Sequence, residues 1–448
     1  MERATLDRRA FLRTAAGLGL AAGLGGCATG GEAALPSPAE RRVPGDLADA
    51  AVYVPGYEPG AGTANGVPLV ANRRIARAIR DTGKPYRLLS RIGLDGSVRQ
   101  ALLPAHAHDV AIAPDRSVGV LCGFEAADQV AFDPLTLDLV ASAPAFGEGW
   151  RGGGHAVYLE GGARVLISER APRRARDGGP IDAHFGRITI RDADTLRVRE
   201  SYSTHGIDPH EIVLVEGGRY LVAANYGSLP RDGERSLAVP RHVVEASVTV
   251  IDMADGRLLD KRVTSTRDLE VRHLAAGGLE RIFAIQARLG SEADLARVTA
   301  RDPLAEGVDI TSEPGIAYLP APTLKLARGG RPGAMTAAAM GSPADGVLMR
   351  HGLSIVYDPV HDQAIATFPS AHAVMAFDGA SGETVSRLDG RGVGLRFPCG
   401  ITFLPDGVHY AVTGYWENLY VFERGSHRLV RDLCLYPTFL GHSHVTAA

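Results

Sequence analysis

One unit recurs along this chain: an apolar strand ending on an acidic residue, a short polar turn, and a second strand. It occurs as Val130-Ala131-Phe132-Asp133 before Leu137-Asp138-Leu139-Val140, and as Ile188-Thr189-Ile190-Arg191-Asp192 before Leu196-Arg197-Val198. It returns as Val248-Thr249-Val250-Ile251-Asp252 before Arg257-Leu258-Leu259, and as Val374-Met375-Ala376-Phe377-Asp378 before Thr384-Val385. Leu419-Tyr420-Val421-Phe422-Glu423 precedes Leu429-Val430, and weaker copies start at Tyr86-Arg87-Leu88-Leu89 and Ile316-Ala317-Tyr318-Leu319, which makes seven. The alternation is that of strands, and the turns carry the Gly, Asp and Ser that hairpins need. Ahead of most hairpins stands another strand pair joined by a Pro-Asp or Gly-Gly turn, as in Val110-Ala111-Ile112-Ala113-Pro114-Asp115 and Ile401-Thr402-Phe403-Leu404-Pro405-Asp406-Gly407. Four strands per unit at a spacing of roughly 40–60 residues predict an all-β, seven-bladed β-propeller with four-stranded blades.

The chain end supports closure of that ring. Gly441-His442-Ser443-His444-Val445-Thr446 resembles a blade opening, Ala105-His106-Ala107-His108-Asp109-Val110, but no blade follows it. It is expected to complete the first blade, whose outer strands come from residues 48–104, and so to remove the open edges of the ring. The whole of 48–448 then forms one propeller domain. Composition agrees: 54 glycines, 45% hydrophobic and 22% charged residues suit a turn-rich globular chain. A net charge of −3 offers no nucleic-acid surface.

Residues 1–27 read as a targeting segment. Arg8-Arg9-Ala10-Phe11-Leu12 is a twin-arginine pattern, an apolar run too short to span a membrane follows, and Leu24-Gly25-Gly26-Cys27 has the form of a lipobox. Cys27 is the expected lipidation site, and residues 28–47 form a polar tether. The expected location is the periplasmic face, with Ala28 rather than Asp after the cysteine favouring the outer over the inner membrane. The membrane is then met only through the lipid. Beyond Cys27, an odd number of cysteines (Cys122, Cys399, Cys434) precludes a complete disulfide framework.

Aligned on the first apolar strand of each unit, the residue just before it is His108, His155, His210, His273, Leu353, Cys399 and His444. In a propeller that strand is innermost, so these side chains would ring one mouth of the central channel. Imidazole suits iron, copper, zinc and nickel, and thiolate the softer ions, so His108, His155, His210, His273, His444 and Cys399 are candidate metal ligands. His205, five residues before His210, joins them as a feature of its own blade. Loops expected on the same face carry Glu125, Glu169, Asp208, Glu211, Asn225, Gln286, His372 and Glu417, which could orient the ligands. The long insertions 170–184, 227–244, 288–315 and 328–350 fall there too. A repeated histidine can also be purely structural, bonding a backbone group or an aspartate in every blade.

At this point the chain resembles a bacterial family catalogued as domain of unknown function 1513, propeller proteins exported by the twin-arginine route. The residues that carry the resemblance are Arg8-Arg9-Ala10-Phe11-Leu12, His205-Gly206-Ile207-Asp208-Pro209-His210-Glu211, Ala224-Asn225-Tyr226-Gly227 and Val271-Arg272-His273-Leu274-Ala275. The resemblance spans most of the chain after Cys27. It implies a seven-bladed propeller, and an occurrence alongside imelysin-like and di-haem-type periplasmic proteins of iron uptake as partners. It assigns no catalytic residue. The lipobox and the long fifth-blade insertion depart from the family pattern.

The expectation is therefore an exported, lipid-anchored propeller that binds iron or copper at a histidine-lined mouth. There is no Gly-x-Ser-x-Gly elbow, phosphate-binding loop or haem-attachment motif, so a non-enzymatic metal-binding protein is favoured. The alternatives are a propeller hydrolase of the lactonase type, whose sites want several oxygen ligands, and a protein-interaction scaffold with structural histidines.

Overall fold

In three of the repeats the closing aspartate caps the turn through the backbone. Asp133 Oδ1 accepts the backbone N–H groups of Leu135 and Thr136, each at 2.8 Å. Asp378 Oδ1 does the same for Ala380 at 3.0 Å and Ser381 at 2.6 Å, and Asp252 Oδ1 accepts from Ala254 at 3.0 Å. The carboxylate supplies an acceptor that the bending chain lacks, and the strand reverses there. The Pro-Asp turns work alike: Asp406 Oδ1 accepts from Val408 at 2.9 Å and His409 at 3.0 Å.

These hairpins assemble, in a computed structural model, into seven four-stranded antiparallel blades set in a ring. The described residues are 43–56, 63–64, 67–68, 87–105, 107–124, 126–172, 180–229, 242–264, 268–299, 316–329, 331, 333–414, 417–439 and 444–448. The twin-arginine and lipobox segment with Cys27 lies outside them, as do Glu125 and most of the long insertions.

In the first blade the C-terminal strand Thr446–Ala447 is innermost, followed by Ala51–Gly56, Arg87–Gly93 and Val98–Leu103. Val52 faces Ala447 and Tyr53 faces Thr446, so both chain ends build one sheet, as the end of the sequence predicted. The remaining blades follow in chain order and begin with Ala107–Ile112, Arg151–Tyr158, Pro209–Val215, Glu270–Gly278, Ser354–Asp358 and Pro398–Phe403. The short hairpin Thr63–Ala64 and Val67–Pro68 extends the outer edge of the seventh blade through Ala64 opposite Thr438. Of the described residues, only Glu292–Thr299 and Pro343–Gly346 form α-helix, and no helix among them is long and apolar enough to cross a membrane.

Seven buried apolar clusters hold the ring, one between each pair of neighbouring blades. Val52, Val54, Val421, Leu435 and Val445 fill the seam between the seventh and first. Leu89, Leu103, Leu121 and Val130 join first to second, Val120, Ile167 and Leu196 second to third, and Leu166, Ile212 and Leu221 third to fourth. Val222, Val250, Ile282 and Leu326 continue to the fifth, Phe283, Phe368 and Met375 to the sixth, and Ile365, Tyr410 and Phe422 to the seventh. Each fully buried Leu, Ile, Val or Phe contributes about 1.5–3 kcal/mol, so the ring is held by its seams. Middle strands such as Gly119–Gly123 and Ser247–Asp252 are buried throughout, whereas outer strands such as Thr384–Asp389 alternate half-buried with exposed residues. That difference is why outer strands read as alternating and middle ones as apolar runs.

One expectation is corrected. Ile316–Leu319 is a strand, but it pairs with the far end of Arg281–Ser291, beyond the blade proper. The third and fourth strands of the fifth blade are Leu324–Ala327 and Thr336–Ala339. Both are four residues long and neither ends in an acidic turn, so the repeat signal is missing where the blade has it.

Candidate metal centre

The first strands of the second, third, fourth, fifth and seventh blades each carry a register shift at their start. The shifts lie between Ala107 and Asp109, Gly152 and Ala156, Pro209 and Ile212, Val271 and His273, and Pro398 and Ile401. His108, His155, His210 and His273 sit at these bulges, within the strands rather than before them. A bulge breaks strict alternation and re-aims a side chain, so four strands can turn one imidazole each toward a common point. No shift is recorded in the sixth blade, where Leu353 occupies the aligned position.

His108, His155, His210, His273 and His444 meet there. All five are buried, and one ligand atom from each lies within 4.8 Å of the others. Ring centroids are 4.5 Å apart for His155–His210 and His108–His444, and 4.7 Å for His108–His210, His210–His273 and His273–His444. The ligands come from five consecutive blades, the first to the fifth, so the cluster belongs to one side of the ring.

The outer ring nitrogens are held. His155 Nδ1 is 3.0 Å from Asp109 Oδ2 and 3.3 Å from Glu211 Oε1, and His273 Nδ1 is 3.1 Å from Glu211 Oε2. His210 Nδ1 donates to the carbonyl of Gly153. These acceptors place the proton on Nδ1 and leave Nε2 of three histidines as lone pairs. His108 Nε2 lies 3.1 Å from Nε2 of both His210 and His444. A ring nitrogen has one in-plane position, either a lone pair or an N–H, and cannot serve two such neighbours. His155 Nε2 is buried and has no hydrogen-bond partner among the described residues. Converging buried acceptors of this kind are costly unless a cation sits among them.

The dimensions fit. Adjacent nitrogens on one ion, at bonds of about 2.1 Å, stand roughly 3.0–3.4 Å apart. An all-imidazole set suits iron, copper, nickel or zinc and does not suit the oxygen-seeking calcium and magnesium. Five donors match a five- or six-coordinate ion better than the four-coordinate closed sites of structural zinc. Asp109 and Glu211 are also two carboxylates, enough to offset the charge of a divalent ion.

Electrostatics point the same way. Burial, reinforced by the neighbouring imidazoles, pushes His210 and His273 well below the usual histidine range, so both are neutral and able to ligate. Burial pushes Glu211 up to about 7, against the pull of His155. At His155 burial disfavours the charged ring, but Glu211 and Asp109 outweigh it and raise the pKa. A cation at Nε2 would compete with that proton.

Aromatic and guanidinium groups cover the cluster. Phe124 lies 5.2 Å from both His108 and His210, and Tyr226 lies 4.6 Å from His210. Arg170 stacks on Phe124 at 4.6 Å and Arg272 on Tyr226 at 5.6 Å. Each guanidinium is paired, Arg170 with Asp208 and Arg272 with Glu270 at 2.9 Å.

The other sequence candidates lie elsewhere. His205, with φ of 53°, places Nε2 3.1 Å from the Gly256 carbonyl in the outer strand Val198–Ile207, outside the group of five. Cys399 is fully buried at the aligned position of the seventh blade, forms no disulfide and is also outside the group. Among the described residues, Glu211 is the one proposed orienting residue seen to reach the ligands. Glu169 instead binds Arg191 and Thr189, each at 2.7 Å. Asn225 Nδ2 reaches Thr249 Oγ1 at 3.2 Å, Gln286 Nε2 donates to Pro322 O at 2.8 Å, and His372 Nδ1 accepts from Phe397 N at 3.2 Å. Glu417 begins the third strand of the seventh blade. Asp109 and the run Gly152-Gly153-Gly154 were not anticipated. Three successive glycines opening a strand are the signal that could have found the latter, since glycine inside a strand marks a close backbone approach.

Among solved structures, the chain is similar to the hydrazine synthase of Kuenenia stuttgartiensis, at 14% identity and a TM-score of 0.51, covering 76% of this chain and 92% of that one. At that identity the likeness concerns the fold alone. A functionally unknown protein from Desulfotomaculum acetoxidans aligns at 9% identity over 70% of this chain and 78% of its own, with a TM-score of 0.44, too low to argue from. No curated protein sequence matches the chain. A family model, described as protein of unknown function (DUF1513), matches residues 101–429, a span that holds four of the five clustered histidines, and the chain belongs to that family.

Proposed function

We propose that this protein is an exported, lipid-anchored propeller that holds a divalent transition metal, iron or copper, in its five-histidine cluster and serves in periplasmic iron handling beside uptake proteins. The observation that carries the reading is the meeting of buried ring nitrogens, with His108 Nε2 at 3.1 Å from two others and His155 Nε2 without a hydrogen-bond partner among the described residues. The twin-arginine pattern and the cysteine at position 27 support export and anchoring, and a folded, metal-loaded protein suits that route. Among the described residues the group of five is all imidazole, which favours a transition metal over a lactonase-type site of oxygen ligands. Histidines that were only structural would be satisfied by their own blades, whereas these face one another.

Elemental analysis of protein purified from its native compartment tests the reading. One iron or copper ion per chain is expected in the wild type. His210→Ala and His273→Ala are expected to fall well below stoichiometry while remaining folded. A wild-type protein that is folded and free of transition metal, and that takes none up, would refute it.

A further inference from the structure

Four of the clustered histidines lie on strands embedded in complete blades. The fifth does not. His444 precedes Thr446–Ala447, the strand that closes the ring, and its Nε2 meets that of His108, 336 residues away, at 3.1 Å. Thr446 and Ala447 pair with Tyr53 and Val52 of the first blade. Around that pairing Ala51 N donates to Ala448 O at 2.9 Å, Ala448 N to Ala51 O at 3.0 Å, Ala447 N to Thr402 Oγ1 at 3.2 Å and Thr446 Oγ1 to Val110 O at 2.5 Å. Val445 adds one buried side chain to the seam between seventh and first blades.

We infer that the metal is the fastener of this ring: bound between His444 and the histidines of the second to fifth blades, it fixes the C-terminal strand onto the first blade, and its loss frees that strand. The inference rests on the metal-binding reading. Without a cation, His108 Nε2 can serve His210 or His444 but not both, which weakens closure. With a cation, the approach of His444 becomes a bond. An ion that binds the closed arrangement, with five imidazoles, more tightly than the open one, with four, shifts the equilibrium toward closure by the ratio of the two affinities. The chain ends are then coupled to the centre of the molecule, and closure becomes a reporter of metal supply.

Backbone amide exchange of the full chain, with Zn(II) as a redox-inert probe, tests this. Exchange in residues 444–448 is expected to slow at saturating Zn(II) by the factor by which the wild type binds Zn(II) more tightly than His444→Ala, roughly tenfold or more. Thr384–Asp389, on the outer edge of the sixth blade, serves as an internal reference and is expected to change little. His444→Ala should still bind Zn(II) through four histidines but show no slowing at the C-terminus. His273→Ala, which keeps His444, should show it at saturating Zn(II), and this variant carries the test if His444→Ala does not fold. Stoichiometric Zn(II) binding with unchanged C-terminal exchange would overturn the fastener while leaving the metal site standing. Failure of the wild type to bind Zn(II), or any transition metal, would remove both.

Discussion

Gly154→Ala is expected to fold less stably and to lose its metal, although no ligand is touched. Gly154 has φ of 108°, a conformation that residues with a Cβ rarely adopt. A Cβ there would stand 2.8 Å from His108 Cδ2 and 2.9 Å from His210 Cε1. The backbone strain costs about 1–3 kcal/mol. Relief requires one of the two imidazoles to move, and each is part of the 3.1 Å contact between their Nε2 atoms. Disturbing the support of a ligand typically costs 10–100-fold in metal affinity, and here the displaced group is itself a ligand. Competition titration against a chromophoric chelator, with circular dichroism to confirm the strand content, checks the result. Unchanged affinity in a folded Gly154→Ala protein would mean that His108 and His210 do not share an ion.

The second large effect concerns the scaffold. Glu169→Ala and Arg191→Ala are each expected to destabilise the protein by about 3–5 kcal/mol, because each leaves a buried charge without its partner. The two side chains are 0% and 1% exposed and meet at 2.7 Å. Arg191 also donates to Pro144 O at 3.0 Å and Leu196 O at 2.9 Å, and Phe146 N donates to Glu169, so the pair fastens the outer strand of the second blade to the third. The double replacement Glu169→Met with Arg191→Met should be less damaging than either single alanine, since no charge is then left buried. Denaturant unfolding monitors all three. Because neither residue touches the histidines, folded material of each variant should bind metal with wild-type affinity, which separates support of the blade from support of the site.

The contrast between Glu169 and Glu211 shows where sequence reasoning holds and where it stops. Both are carboxylates at the channel end of a blade, and both were candidates to orient a ligand. Glu211 directly follows a bulged histidine and bridges His155 and His273. Glu169 pairs in register with Gly152 and turns into the seam between blades. Only the partner strand decides between them, and one sequence does not give register. The ring itself was legible because period-two alternation and acidic turns repeat whatever a blade's partners are. Four ligands were legible for the same reason, as one position recurring across blades, and His444 through the likeness of 441–446 to 105–110. His205 and Cys399 were brought in by proximity and by alignment. The structure places one in an outer strand and the other outside the five, because the cluster draws on the first to fifth blades and Cys399 belongs to the seventh. Asp109 was hidden because an acid next to a histidine carries no sign of which neighbouring blade it serves.

The central claim is that five imidazoles share one ion. X-ray absorption of the metal-loaded protein at the edge of its bound metal tests it most directly. The account predicts a shell of four to five nitrogen scatterers at about 2.0–2.2 Å, with the outer-shell pattern of imidazole rings and no sulfur. In His444→Ala the imidazole count should fall by one. A shell dominated by oxygen, a sulfur scatterer, or two or fewer imidazoles would contradict it.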